Sequence, residues 1–440
     1  MSSSTDLRSP RLARLVAGLR AAATYDVFPA FSAKVRRLLY NPLGALLLAA
    51  LAALLCGLFL HPQGLVLFGG VVAVILLGVL WPWLNLRGLR GSLSFERARA
   101  SEGECVEVTL TLRSRLPWSA WGLVVRGGFR CPATADGDDS PVVSIASAPG
   151  RRSARCRWKF VPACRGVYPL VPARLTTGFP FGLWENARAV AVETPLLVWP
   201  RTFPVGPVPL VSGDQQVEGN VSRNKVGSNG DVLGVRPYRR GDSPRRIHWG
   251  QSARHDRLIV CELQSNARPV VQLVLDADPR VHSGLRPDGS REWAVRIAAS
   301  LAKGWLEAGA QVGAVWNDQA FPAASGQAQL LRLFDGLARL PDGPGPSLAE
   351  MLASPACRAF TDGPQVIVTT DAALGRAAPE RPGRAQRRWV VLRAGAFAGD
   401  QRAQAEPAAS SPIRPWLWVD SPEKIPALLR GQWKEAQHGP

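Results

Sequence analysis

The chain has 440 residues, of which 46% are hydrophobic and 20% charged. That length supports two or three domains, and the hydrophobic content excludes a disordered chain because it is sufficient for cores and membrane segments. The formal net charge of +19 indicates attraction to anionic lipid, nucleic acid or an acidic protein. No nucleic-acid partner is expected, since the positive charge is spread through every segment and no nucleic-acid-binding motif accompanies it.

The seven cysteines include no C-x-x-C pair and no metal-ligand spacing with histidine. Together with the cytoplasmic location inferred below, this pattern predicts reduced thiols in preference to disulfides.

Residues 1–40 form a basic segment with few acidic residues. The apolar residues between the basic ones predict an amphipathic helix on the membrane surface. A cleavable signal peptide is not favoured, because the long apolar run starts late and no small-residue cleavage site follows it.

Residues 41–86 predict a transmembrane hairpin. Two uncharged runs, 43–60 and 65–84, are separated by a four-residue turn. Eighteen helical residues span about 27 Å, which is enough to cross the hydrocarbon core of a bilayer. Trp81 and Trp83 stand at the interfacial end of the second run. Basic residues flank both outer ends, so we expect the inner membrane as location and the cytoplasm as the side of the soluble domains.

Residues 91–200 show a period of two. Apolar and polar residues alternate over 106–112 and over 155–160. Short alternating strands separated by proline- and glycine-rich turns predict an antiparallel β-sandwich. Residues 201–231 contain several prolines and glycines with few apolar residues, and they are predicted to be a linker.

Residues 232–264 concentrate the unusual chemistry of the chain. Arginines are interleaved with aromatic and acidic residues, a mixture too polar for a core strand and too aromatic for a solvated linker. Guanidinium groups suit carboxylates, carbonyls or phosphates, so this segment is either an internal clamp or a recognition surface. Ser243 and Pro244 predict the start of a short helical turn through Ile247 and Trp249. The candidate residues are Arg236, Tyr238, Gly241, Asp242, Arg245, Arg246, His248, Trp249, Ser252 and Arg254.

This segment resembles the signature of the bacterial family called domain of unknown function 58, approximately R-x-Y-x-x-G-D-x-x-R-x-I-x-W-[KR]-x-S-A-R. Gly250 departs from it where a Lys or Arg is usual. Two further stretches, 165–170 and 179–184, are similar to family features, the second normally written D-P-F-G-L-F. For 179–184 we predict aromatic packing beneath a turn.

The resemblance implies a membrane-anchored protein with a von Willebrand factor type A-like domain and a MoxR-type AAA+ ATPase as its partner. Residues 265–440 fit that α/β expectation. Apolar strand candidates at 270–275, 312–316, 366–370, 389–392 and 417–419 alternate with helical stretches, which predicts a parallel sheet covered on both faces.

A von Willebrand type A domain binds Mg²⁺ through D-x-S-x-S, a Thr and a later Asp. Asp276 and Asp371 match two of these positions, but Asp278 and Arg280 replace the two serines. Arginine cannot ligate a cation. We therefore expect no resident metal or other cofactor, with Asp276, Asp278 and Asp371 as a degenerate candidate Mg²⁺ site.

For the signature itself we hypothesise a buried network of Asp242, Arg246 and Arg254 that clamps the loop, with Tyr238 and Trp249 packed beneath arginines. The chain as a whole is interpreted as a cytoplasm-facing adaptor or scaffold for the ATPase in assembly, maturation or envelope stress. The alternatives are an enzyme of unrecognised type, with His248 or His255 as a base beside Asp242 or Asp256, and a nucleic-acid-binding membrane protein.

Overall fold

The computed structural model describes residues 41–131, 141–206, 223–239, 242–265, 268–360, 363–374, 387–397 and 415–431. The predicted basic segment 1–40 and the candidate residue Gly241 lie outside these ranges.

Two apolar helices begin the described chain: α1, Pro42–Phe59, and α2, Gln63–Arg87. Asn41 starts α1 because its side chain accepts a hydrogen bond from the backbone N–H of Leu43 at 3.3 Å. The helices meet closely beside the turn, where a Cβ on Gly64 would stand 2.4 Å from the nitrogen of Gly57. Both are long and apolar enough to cross a membrane, as predicted.

A β-rich region follows α2 after a single residue, Gly88. It contains a four-stranded sheet in the order β10-β1-β3-β6, another in the order β5-β4-β8-β9, and a three-stranded sheet β2-β11-β7. One hydrophobic core draws on strands of all three sheets. The strands are β1 Leu89–Phe95, β2 Arg99–Ser101, β3 Val106–Ser114, β4 Ala120–Arg126, β5 Pro141–Ala148, β6 Ser153–Phe160, β7 Gly166–Tyr168, β8 Arg174–Thr177, β9 Asn186–Ala189, β10 Ala191–Thr194 and β11 Leu196–Trp199.

The predicted alternation is confirmed on β3. Val106, Val108, Leu110 and Leu112 are buried, and the residues between them are half-buried. Adjacent β6 pairs with β3 antiparallel and turns Trp158 and its neighbours on the same face toward the core. Side chains alternate between the two faces of a strand, so one face of this sheet forms core and the other meets solvent.

The expectation of reduced thiols is wrong for one pair of cysteines. Cys131 and Cys164 form a disulfide with their Cα atoms 5.9 Å apart. Spacing could not reveal this pair, because 33 residues separate its members and only the packing of the strands brings them together. Cys56, Cys105, Cys156, Cys261 and Cys357 are free.

A hairpin of two strands, β12 Arg223–Pro237 and β13 Ile259–Ser265, carries the signature segment, with the short helix α3 Trp249–His255 between them. Strand β12 begins inside the predicted linker 201–231, which is therefore not wholly a connector. The turn predicted to start at Ser243 and Pro244 is confirmed at its start, but it does not continue through Ile247 to Trp249. Residues 244–246 form one 3₁₀ turn, Ile247 bridges to Val260, and α3 begins afterwards.

The remaining chain forms a six-stranded sheet in the order β16-β15-β14-β17-β18-β19. All neighbouring strands are parallel except the edge strand β16, which runs antiparallel to β15. Hydrophobic clusters lie against the sheet, with the long helix α4 in the larger one. The predicted strands and helices are confirmed within one or two residues for most elements. The elements are β14 Val270–Leu275, α4 Ser290–Glu307, β15 Gln311–Trp316, β16 Gln319–Ala324, α5 Gln327–Ala338, α6 Leu348–Ala353, α7 Pro355–Arg358, β17 Gln365–Thr370, α8 Asp371–Leu374, β18 Arg387–Leu392, β19 Leu417–Val419 and α9 Ile425–Gly431.

Residues 200–206 dock onto the α/β domain instead of bridging through solvent. The backbone N–H of Phe203 donates to Ser300 Oγ at 2.9 Å, and its ring stacks on Trp293 with 5.9 Å between centroids. The N–H of Gly206 donates to the carbonyl of Leu429 at 2.8 Å. The strands of the β-rich region therefore lead directly into contacts with α4 and α9.

Buried ion pairs join the two regions. Arg165 of the β-rich region is 1% exposed and pairs with Glu292 of α4, which is 2% exposed. The Nε of Arg165 also donates to the carbonyl of Leu337 at 3.0 Å. A second pair runs in the opposite sense, since Arg296 of α4 donates to Glu102 at 2.8 Å. Each region thus supplies one cation and one anion to a common buried interface.

Glu102 and Glu292 each bind a further group. The carboxylate of Glu102 accepts from the backbone N–H of Arg165 at 2.8 Å and from that of Arg201 at 3.2 Å. Arg286 lies 3.1 Å from Glu292, and its guanidinium donates to the carbonyl of Arg165 at 2.7 Å. These contacts satisfy part of the buried cluster, whereas one terminal guanidinium nitrogen of Arg165, the Nε of Arg286 and the Oε1 of Glu292 have no hydrogen-bond partner among the described residues.

We predict that Arg165→Met destabilises the full chain by about 3–5 kcal/mol, because it leaves the buried Glu292 carboxylate without its main partner. The matched control is Arg97→Met, which breaks an exposed pair with Glu104 and is expected to cost under about 1 kcal/mol. Urea midpoints of the three proteins in detergent micelles measure the difference. Equal midpoints for the two variants would contradict a stabilising role for the buried pair.

Candidate functional site

The signature loop is closed by one ion pair. Both guanidinium nitrogens of Arg236 donate to the carboxylate of Asp242, each at 2.7 Å. The backbone N–H of Arg239 donates to the same carboxylate at 2.8 Å. The hydrogen bonds from Arg236, followed by that from Arg239, lower the pKa of Asp242 to about 2. The aspartate is therefore ionised at all physiological pH values, and it holds Arg236 and the backbone of Arg239 beside it.

The hypothesis of a buried clamp is wrong in its partners and in its burial. Asp242 pairs with Arg236, and Arg254 is exposed on α3. The Arg236 and Asp242 side chains keep 28% and 19% of their surface accessible. A pair this accessible is partly screened by water, so it orders a loop more than it stabilises a fold.

His248 and Ser252 position α3. The Nδ1 of His248 accepts from the backbone N–H of Gln251 at 3.2 Å and so caps the helix. The hydroxyl of Ser252 is buried, donates to the carbonyl of His248 at 3.0 Å and accepts from the N–H of Ile259 at 2.9 Å. These bonds fasten one side of α3 to β13 and leave the opposite side facing outward.

The outward side carries Trp249, which is 67% exposed. The prediction that this indole packs beneath arginines is therefore wrong. Tyr238, for which the same packing was predicted, is half-buried. Arg246 is half-buried and engaged in interactions of its own. We define the signature surface as the exposed side chains on and beside α3: Arg239, Arg245, Trp249, Arg254 and Arg257. A large exposed aromatic among arginines is the composition typical of binding hot spots.

The second candidate site lies at the carboxyl ends of the parallel strands. Strand β14 has β15 on one side and β17 on the other, so the chain reverses its direction of winding there. Such a switch point opens a crevice where α/β proteins commonly bind ligands. Asp276, directly after β14, is 1% exposed and accepts from the hydroxyl of Thr369 at 2.7 Å. Burial raises the pKa of Asp276. The hydrogen bonds that its carboxylate accepts from Thr369 and from the backbone N–H of Asp278 lower the pKa by less.

The neighbouring carboxylates have partners as well. The Nε of Arg280 lies 2.8 and 2.9 Å from the two oxygens of Asp278. Burial alone would raise the pKa of Asp278, but the hydrogen bonds from Arg280 outweigh it and lower the pKa. Asp371 accepts from the backbone N–H groups of Ala372 and Ala394 at 2.9 and 3.0 Å.

These residues do not fit a divalent cation. The guanidinium of Arg280 takes the place beside Asp278 that a cation would need, and the carboxylate of Asp276 is already bound by the hydroxyl of Thr369. Within the ranges that the structure describes, no three His, Cys, Asp or Glu side chains are grouped closely enough to hold a metal ion.

Sequence reasoning missed His282 and Thr369 at this edge. His282 bridges the edge, with its Nε2 2.9 Å from the carbonyl of Asp276 and its Nδ1 3.0 Å from Ser290 Oγ. A carbonyl can only accept, so Nε2 carries the proton and Nδ1 accepts from the serine. Thr369 could have been found from its place at the end of a predicted strand, but nothing in the sequence pairs His282 with Asp276.

The fold is thus that of a mixed α/β protein with two apolar helices at the start of its described chain. Residues 234–373 match the model of the family described as protein of unknown function DUF58, which confirms the resemblance predicted from the signature. No curated protein matches the sequence significantly.

Matches to solved structures cover parts of the chain at low similarity. A CARDB domain from Pyrococcus furiosus is 11% identical with a TM-score of 0.16, over 24% of this chain and 94% of that domain. The sporulation control protein Spo0M from Bacillus subtilis is 10% identical with a TM-score of 0.15, over 24% of this chain and 49% of Spo0M. The DNA glycosylase AlkC from Pseudomonas fluorescens is 12% identical with a TM-score of 0.16, over 28% of this chain and 38% of AlkC. TM-scores this low carry no argument about fold or function.

We predict that His282 makes the protein less stable as the pH falls. Burial lowers its pKa from 6.5 to about 4 in the folded chain. Below pH 6.5 the unfolded chain therefore binds a proton that the folded chain does not, and stability falls until about pH 4, by roughly 3 kcal/mol in all.

The measurement compares urea midpoints at pH 7 and pH 5 for the wild-type chain and His282→Gln. The raised pKa of Asp276 acts in the opposite direction, but it is present in both proteins and largely cancels in the comparison. The variant should lose much of the pH dependence. An unchanged pH dependence would show that His282 is not its source.

Proposed function

We propose that this protein is a membrane-anchored adaptor for a MoxR-type AAA+ ATPase, which docks on the signature surface. The observation that carries the proposal is Trp249, a mostly exposed indole on a helix that Ser252 holds rigidly against β13. Tryptophan and arginine are enriched among the residues that dominate protein–protein binding, so an exposed indole among exposed guanidinium groups supports a docking surface. An ATPase partner would supply carboxylates for the arginines.

The architecture supports the same proposal. We infer that the helices α1 and α2 anchor the chain in the inner membrane, that the β-rich region is a β-sandwich, and that the six-stranded sheet belongs to a von Willebrand type A-like domain. In such a domain the engaged Asp278 and Arg280 would replace a cation-dependent site. The partner would then bind to the β12–β13 hairpin that carries α3, and not at the carboxyl ends of the sheet strands.

The sidedness of the anchor rests on two features that point in opposite directions. Lys and Arg flank both outer ends of the hairpin, which favours a cytoplasmic location of the soluble regions. The disulfide of Cys131 and Cys164 favours an oxidising compartment. We propose the cytoplasm, because an ATPase needs ATP, and the burial of Cys164 would protect the disulfide from cytoplasmic reductants.

Docking is tested with Trp249→Ala and Arg254→Gln in the full chain, in pull-downs of a MoxR-type ATPase from the same cells. Both side chains are exposed, so we expect each variant to unfold like wild type, within about 1 kcal/mol, while capture of the ATPase falls strongly. The matched controls are Trp418→Ala and Arg332→Gln, which remove an exposed indole and an exposed guanidinium elsewhere. Equal capture by all four variants would remove the signature surface from the proposal.

Sidedness is tested at Cys105, a native cysteine that is exposed in the β-rich region. A membrane-impermeant maleimide added to intact spheroplasts is expected to leave Cys105 unlabelled until the cells are lysed. Labelling before lysis would place the soluble regions outside the cytoplasm and exclude an ATP-dependent partner there.

A further inference from the structure

Helix α2 continues almost directly into the β-rich region and is held against it. The guanidinium of Arg188 on β9 donates to the carbonyls of Leu86 and Arg87 at 2.8 and 2.9 Å. Carbonyls at the C-terminus of a helix lack partners within the helix, so this arginine caps α2. A Cβ on Gly88 would stand 2.4 Å from the side chain of Leu116, so the junction is closely packed. The β-rich region therefore has a defined position along α2.

One loop of that region extends along α2 away from this cap. The loop, residues 178–184, connects β8 to β9, and its Leu183 side chain lies against Gly78, where an added Cβ would be 2.6 Å from it. Gly78 precedes Arg87 by nine positions, so the contact lies within α2, about 13 Å from its C-terminal end along the helix axis. Gly78 lies within the uncharged run 65–84. The loop thus reaches the part of α2 that would lie in a bilayer.

The loop and the strand next to it expose aromatic side chains. Phe181 is 49% and Trp184 54% exposed, so the prediction that this stretch packs its aromatics beneath a turn is wrong for both. Phe179 and Trp121 stack on each other with 6.4 Å between centroids, and both remain more than a third exposed. We call the exposed side chains of Trp118, Trp121, Phe179, Phe181 and Trp184 the aromatic patch.

The chemistry of the patch fits lipid. Residues 178–184 contain no charged residue, and Glu185 beside them is paired with Arg126 at 3.3 Å. Trp118 stacks on Trp81 of α2 with 6.1 Å between centroids, so the patch is continuous with the interfacial tryptophans of the helix. Indole rings prefer the boundary between hydrocarbon and headgroups. An exposed apolar surface beside the apolar part of α2 would cost free energy in water but not in a membrane.

We propose that the aromatic patch inserts into the lipid bilayer beside α2, so that the β-rich region is a second membrane contact and not only a domain tethered by the hairpin. This inference rests on the proposed anchoring of α1 and α2 and is independent of the ATPase. Insertion would fix the height and tilt of the soluble regions above the membrane.

The test uses three forms of the full chain that each have one free cysteine. Each form retains the Cys131–Cys164 disulfide, and the other free cysteines are replaced by serine. One form carries Phe181→Cys, one keeps Cys56 in α1, and one keeps Cys105. Cys105 precedes β3, whose far end, Ser114, pairs with Leu89 beside the membrane helix, so it marks the water side. Each thiol is labelled with the fluorophore NBD, and the protein is reconstituted into phosphatidylcholine and phosphatidylglycerol vesicles with or without nitroxide-labelled acyl chains.

At positions 181 and 56 we expect nitroxide lipid to remove about half of the emission or more, because both labels would lie within the hydrocarbon region, which is about 30 Å thick. At position 105 it should remove little, and aqueous iodide should quench there instead. Trp184→Cys serves as a second probe of the patch if Phe181→Cys fails to fold.

Quenching by lipid at 56 together with iodide quenching at 181 would overturn the insertion of the patch and leave the anchor intact. That result would also follow if the patch were a docking surface for another protein. Absence of lipid quenching at 56 would overturn the anchor itself, and the insertion with it.

Discussion

The structure depends on the buried charges between the β-rich region and the α/β domain. Arg165 pairs with Glu292, and Glu102 pairs with Arg296, so each region contributes one charge of either sign. Removing such groups from water is costly, and the cost is offset only while both regions are in contact. Each of the four charges is matched only in the arrangement in which the two regions meet, so the pairs specify that arrangement.

Further contacts extend this coupling from the α/β domain to the apolar helices. Arg188 caps α2 and fixes the β-rich region to the apolar hairpin. The buried pairs fix that region to α4, and residues 200–206 add contacts to α4 and α9. The proposed anchor therefore has a mechanical rationale: the α/β domain would be held at a set distance from the membrane by these contacts.

The edge of the six-stranded sheet shows how an ordinary ligand position can become structural. Asp276 and Asp278 occupy the switch point where parallel sheets commonly bind ligands. Here Thr369, Arg280 and backbone groups satisfy the carboxylates, and His282 bridges Asp276 to Ser290. These contacts hold together the loops after β14 and β17. The exposed side chains proposed to bind a partner lie instead on the β12–β13 hairpin, on and beside α3.

Local patterns determined most of the secondary structure. The alternation of Val106 to Leu112 specifies a strand because side-chain periodicity acts within a few residues, and the short apolar runs of β14, β17 and β19 are typical of buried strands. The uncharged runs of α1 and α2 are long enough to cross a bilayer, where a helix satisfies its own backbone hydrogen bonds. The family signature could likewise be read from residue identities, and so could the replacement of cation ligands by Asp278 and Arg280. Tertiary structure alone decided that Asp242 pairs with Arg236, that Cys131 meets Cys164, that Arg165 is buried against Glu292, and that residues 179–184 turn their aromatics outward beside α2. Those outcomes depend on distances between residues far apart in the chain and on which charges lose their water, and no local pattern records either.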